Sequence, residues 1–224
     1  MPKFALIRIF KRSPRHDVRH KPHQGQAGFT LIELLIVVMI AGIIAAIAAP
    51  GWLGFIQQRR ASAANDAVMR AIQDAQSQAK TKKLKYSVSF RNQNGVPEVA
   101  VYPDASKPDN YWKELGDQLS LKPRQMAIGT NLNGQNTAIA GAVSYNNPPT
   151  DPNDPRFQKI TFDLLGAVPN ATFPANPKNS AFIIEVAAPN GNGSNDVIPI
   201  TRRCVKIKTI LGTMQTGKLN ECDP

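Results

Sequence analysis

Residues 28–50 read GFTLIELLIVVMIAGIIAAIAAP, and the rest of the chain takes its meaning from this stretch. Between Phe29 and Ala49 there is one ionisable side chain, Glu33, and one hydroxyl, Thr30. As a helix the run would span about 31 Å, close to one hydrocarbon core. Pro50 removes a backbone donor, so the helix is expected to end or kink there. Ahead of the run, residues 1–28 hold seven basic side chains and one acid, Asp17, for a net charge of +6. The whole chain of 224 residues carries +11. A strongly basic protein first suggests nucleic acid or an anionic membrane. Here more than half of the excess lies in front of an apolar span. Such a flank holds the N-terminus in the cytoplasm and sends everything after Pro50 outside.

Three readings of the span compete. A cleaved secretory signal is favoured by Ala46-Ile47-Ala48, a small-x-small cleavage pattern, but its apolar run should be about 7–15 residues long. An uncleaved anchor has the right length, but a carboxylate in hydrocarbon costs on the order of 3 kcal/mol. The third reading gives Glu33 a task. Gly28-Phe29-Thr30-Leu31-Ile32-Glu33, continuing through Leu34-Leu35-Ile36-Val37-Val38 to Pro50, resembles the cleavage and methylation motif of type IV prepilins and pseudopilins. The resemblance implies that prepilin peptidase cuts after Gly28 and that Phe29 is then N-methylated. Glu33 becomes the fifth residue of the mature chain and serves assembly. In a filament, Glu33 of one subunit would lie beside the Phe29 amine of its neighbour, so that each buried charge gains a partner.

After Pro50 the pattern changes. Trp52, Phe55, Ile56, Ala63, Ala64, Ala67, Val68, Ala71, Ile72, Ala75 and Ala79 recur at spacings of three and four. This predicts an amphipathic helix of about 30 residues, with an alanine-rich stripe suited to a sheet. Lys80, Lys82, Lys83 and Lys85 gather at its end, where cations suit the helix dipole and solvent. Strands are expected at Leu84–Phe90 and Val96–Tyr102, joined by the hairpin signal Asn94-Gly95. Others are expected at Met126–Gly129, Ile139–Tyr145, Phe157–Leu164, Phe182–Ala187 and Val197–Thr209, with loops at Asn146–Pro155 and Pro189–Asp196. One long helix followed by strands defines an α+β class. The division is a basic leader at 1–28, a membrane or filament-core helix at 29–50, its amphipathic half at 51–83, and a β-rich head at 84–224.

The head resembles the GspH/FimT group of minor pilins and pseudopilins. Lys159-Ile160-Thr161-Phe162-Asp163-Leu164-Leu165-Gly166 looks like that group's strand and turn. Arg202-Arg203-Cys204-Val205 through Leu211-Gly212 and Gly217-Lys218 looks like its last strand pair. The implied fold is a long N-terminal helix packed on a small antiparallel sheet. The implied function is a minor pilin or pseudopilin, assembled into or priming a type IV pilus or a type II secretion pseudopilus. The implied partners are prepilin peptidase/methyltransferase, other pilins through the N-terminal helix, and the inner membrane before assembly. It would be a single-pass protein with its head outside.

An exported head is a place where disulfides persist. A pair near a pilin C-terminus staples the last segment, so Cys204 and Cys222 are expected to be bonded, for about 3 kcal/mol; two free thiols are the alternative. Alternation puts Arg202, Lys206 and Lys208 on one face of their strand, expected to be solvated. Some FimT-like proteins bind DNA for uptake through a C-terminal Gly-Arg-x-Arg motif. Gly217-Lys218-Leu219-Asn220 lacks those arginines, so DNA binding through Arg202, Lys206 and Lys208 is kept as the alternative function. The loop Asn190–Asp196 has one carboxylate, too few for calcium. All histidines (His16, His20, His23) precede the span, and two cysteines cannot make a four-thiolate site. No cofactor, no metal and no enzymatic activity are expected.

Overall fold

The structure, a computed structural model, describes residues 28–115, 121–141, 143–175, 180–191 and 196–223, without the side chains of 48–50. The leader 1–27 and most of the 190–196 loop therefore lie outside the described residues. The chain divides into two compact units, Met1–Ala46 and Ile47–Pro224. Helix α1, Leu31–Lys82, begins in the first and finishes in the second. It is helical through position 50, so the proline does not end it.

In the second unit, the α1 stripe that packs starts later than the sequence pattern predicts. Ala61, Ala64, Val68, Ile72, Ala75 and Ala79 are buried, whereas Trp52 and Phe55 are exposed. The helix stops at Lys82, and Lys83 takes a positive φ of 56° that turns the chain into the head.

Among the described residues eight strands follow: β1 Tyr86–Gln93, β2 Val96–Pro103, β3 Trp112–Glu114, β4 Ala127–Thr130, β5 Lys159–Phe162, β6 Phe182–Ala187, β7 Arg203–Ile207 and β8 Met214–Lys218. They form two antiparallel four-stranded sheets rather than one, ordered β3-β2-β1-β5 and β4-β6-β7-β8. The β1–β2 hairpin closes on Gln93 and Val96, with Asn94 (φ 52°) and Gly95 (φ 78°) between them, the two left-handed positions of a type I′ turn. Both sheets send side chains to α1: Tyr86, Val88, Phe90, Ile160 and Phe162 from the first, and Phe182, Ile184, Val186, Val205 and Ile207 from the second. Small alanines on the helix let these larger side chains approach closely, and the result is one contiguous core.

The expected strand at Ile139–Tyr145 does not form. Only isolated bridges, Leu132 with Ala138 and Thr130 with Ser144, mark the region. Asparagine carboxamides tie neighbouring segments together instead of a ladder. Asn131 accepts from the Ile183 amide at 2.8 Å and donates to the Ala181 carbonyl at 3.0 Å. Asn136 accepts from the Thr161 amide at 2.7 Å and donates to the Pro169 carbonyl at 2.8 Å. Asn92 joins the two sheets, accepting from the Ile128 amide at 2.9 Å and donating to the Ile128 carbonyl at 2.8 Å. The 197–209 run is also broken: Pro199–Thr201 is a 3-10 turn, and β7 starts at Arg203.

On the far side of the first sheet, Ser87 and Ser89 are buried and hydrogen-bonded. Ser87 meets Asp104 and Thr161, each at 2.8 Å, and Ser89 meets the Tyr102 hydroxyl at 2.9 Å. Burial pushes the Tyr102 phenol up to about 12.

Candidate functional site

In the first unit, Thr30 sits just ahead of α1. Its Oγ1 accepts from the Glu33 amide at 3.3 Å, and its carbonyl accepts from the Leu34 amide at 3.2 Å. Thr30 thus caps the helix, and Glu33 falls at the third helical position, where a carboxylate suits the positive end of the dipole. Gly28 and Phe29 precede the cap, and Phe29 is 81% exposed. Among the described residues a Cβ on Gly28 would meet nothing within 4 Å, so their packing does not demand glycine there. From Leu31 to Ile47 every large apolar side chain is exposed, on all sides of the helix. A helix apolar all round belongs in a protein core or a membrane. Neither Leu31–Ile47 nor Gly51–Lys82 is alone long and apolar enough to cross a membrane; by length and composition the two together are.

The family described as the prokaryotic N-terminal methylation motif matches residues 23–49. A curated relative, the type IV major pilin protein PilA of Myxococcus xanthus (strain DK1622), is 44% identical over 72 residues, 32% of this chain. The chain spans 32% of the length of that relative. Among solved structures, the minor pseudopilin EpsH from the type 2 secretion system of Vibrio cholerae is similar with a TM-score of 0.40 and 13% identity. That match covers 73% of this chain and 99% of the other. The α+β class stands on the helix and sheets themselves.

The head places its other marked residues as follows. Cys204, on β7, is bonded to Cys222 at the end of the chain. The pair lies in a second small core with Tyr145, Ala181, Ile183 and Ala187, on the face of the second sheet away from α1. Alternation along β7 holds, since Val205 and Ile207 face the helix and Cys204 does not. The expected solvated basic face does not exist, because this outer face is covered. Arg202 is bound to Glu185 at 2.5 Å and to Asp223 at 2.7 Å. Lys206 is only 6% exposed, and burial, with Lys208 nearby, pushes its pKa down. Lys208 remains exposed.

Glu185 is a residue the sequence did not advertise. It is fully buried, with the Tyr145 hydroxyl donating to it at 2.6 Å. Hydrogen bonding to Glu185 holds the Arg202 guanidinium firmly charged, and burial together with Glu185 pushes the Tyr145 phenol far up. An acid in the middle of an apolar strand was the available signal. Among the described residues, no group of three or more His, Cys, Asp or Glu is placed to hold a metal ion.

Proposed function

We propose that this chain is a minor pilin or pseudopilin, cut by prepilin peptidase after Gly28, N-methylated on Phe29, and assembled through α1 into a type IV pilus or a type II secretion pseudopilus. Before assembly it spans the inner membrane once, N-terminus in the cytoplasm and head outside. The observation that carries the reading is the apolar surface of Leu31–Ile47 with Glu33 alone in its first turn. A membrane can cover that surface, and so can neighbouring helices of the same kind, but only a neighbour supplies a cation for Glu33. The free Phe29 amine produced by cleavage is that cation. Gly28, which no described neighbour requires, is explained by the peptidase.

Two substitutions test the reading. Gly28→Val should leave the leader attached, seen as a heavier band on a gel of membrane fractions. Glu33→Leu should be processed normally yet fail to enter filaments. Trimming of the Gly28 variant at an unchanged site would defeat the proposal. DNA uptake is not proposed, because Arg202 and Lys206 are withdrawn from solvent.

A further inference from the structure

We infer that the cleft between α1 and the free edge of β8 receives an extended peptide segment of a neighbouring subunit, which donates a hydrogen bond to Asn65 Oδ1. The identity of the neighbour rests on the pilin reading above. On α1, Ser62, Asn65 and Asp66 stand at spacings of three and four, on one side of the helix. Opposite them, β8 is the last strand of its sheet. Its register pairs Thr216 with Val205 and Lys218 with Arg203, which turns Thr216 and Lys218 toward the helix side. The space between is a cleft of about 340 Å³.

Asn65 lines this cleft and is 5% exposed, and its Oδ1 has no hydrogen-bond partner among the described residues. The other buried asparagines, Asn131 and Asn136, use both ends of their carboxamides. A buried acceptor left unmet costs stability, and the same helix face is otherwise built of alanine, valine and isoleucine. An apolar residue at 65 would remove the penalty, so the carboxamide is there for a donor from outside.

The charges describe that donor. Asp66 on α1 and Glu221, Arg203 and Lys218 on the opposite wall line the cleft, two of each sign. Two of these groups are already engaged within the chain. Arg203 Nη1 donates to the carbonyls of Ile200 and Arg202, and Glu221 accepts from the Lys218 amide. A balanced cleft suits a neutral segment better than a phosphate or a metal ion. Beside it, apart from the Lys218 amide held by Glu221, β8 offers backbone groups with no further strand to pair with among the described residues, the usual template for strand addition.

The test places a photo-reactive phenylalanine analogue at Thr216 in the full-length chain, expressed in the bacterium that assembles it, with Gln73, exposed on α1 and outside the cleft, as the control position. The inference expects an adduct at Thr216 whose partner peptide comes from this chain or from another protein with an N-terminal methylation motif. Asn65→Leu should lower that adduct about fivefold, the worth of one hydrogen bond. The melting temperature of the detergent-purified variant should stay level or rise. The inference is overturned by an adduct no stronger than at Gln73, by a lipid or unrelated protein as the partner, or by an adduct unchanged in Asn65→Leu. A lowered melting temperature would also overturn it, since Asn65 would then serve the fold. A mature N-terminus other than Phe29 defeats the subunit reading but not the peptide cleft. An unchanged adduct with the N-terminus at Phe29 defeats the cleft alone.

Discussion

Arg202 grips Glu185 at two points, Nε to Oε1 at 2.5 Å and Nη2 to Oε2 at 3.0 Å, beneath the C-terminal tail. Glu185 is completely buried, and this arginine is the cation set against it. Arg202→Met should cost about 3–5 kcal/mol in urea unfolding, because it strands a buried carboxylate. Replacing both residues by methionine should recover most of that loss. A double variant no more stable than the single one would show that the pair stabilises through more than charge neutralisation.

The same arginine binds Asp223, next to Cys222, so the disulfide holds the tail on the ion pair. Cys222→Ser should cost about 3 kcal/mol through loop entropy. It should also raise amide exchange in residues 219–223 ahead of the rest of the head. Exchange that rises uniformly across the head would contradict a local staple.

Gly212 has a φ of +71°, and a Cβ there would lie 2.6 Å from Gln76 Nε2 and 3.1 Å from a Phe162 ring carbon. Gln76 donates to the Gly166 carbonyl at 2.7 Å, tying α1 to the turn after β5. Gly212→Ala should therefore destabilise the head by about 1–3 kcal/mol, through both strain and crowding. Thermal melting of the variant checks this.

Burial pushes the Asp104 carboxyl up, but Lys159 at 2.7 Å and the hydroxyls of Ser87 and Thr161 outweigh it and hold it below the usual range. A carboxyl with a depressed folded-state pKa adds stability above its unfolded value, about 3.9, and loses it as pH falls through the folded one. Melting temperature should thus fall as pH drops below about 4. Asp104→Asn should flatten that part of the curve.

Much of this was legible in the sequence because local rules governed it. Asn94-Gly95 demanded a tight hairpin, and the apolar run Phe182–Ala187 became β6 with the same limits. Gly28 to Glu33 carried the methylation motif in consecutive residues. Non-local effects were not legible. Period-two alternation told that Arg202 and Lys206 share a face with Cys204. It could not tell that Tyr145 and the tail around Cys222 would cover that face. The 139–145 run looked like a strand by composition, yet its described backbone pairs only through Ser144 with Thr130 and through the Ile139 amide with the Asn131 carbonyl. Asn65 looked like any polar position on an amphipathic helix until its burial was seen.

The most direct test of the central claim is the intact mass and N-terminal sequence of the protein extracted from membranes. The account predicts a chain beginning at Phe29 and carrying one added methyl group on its amine. A chain beginning near Ala49, or one that keeps residues 1–28, would contradict it, and the role given to Glu33 would fall with it.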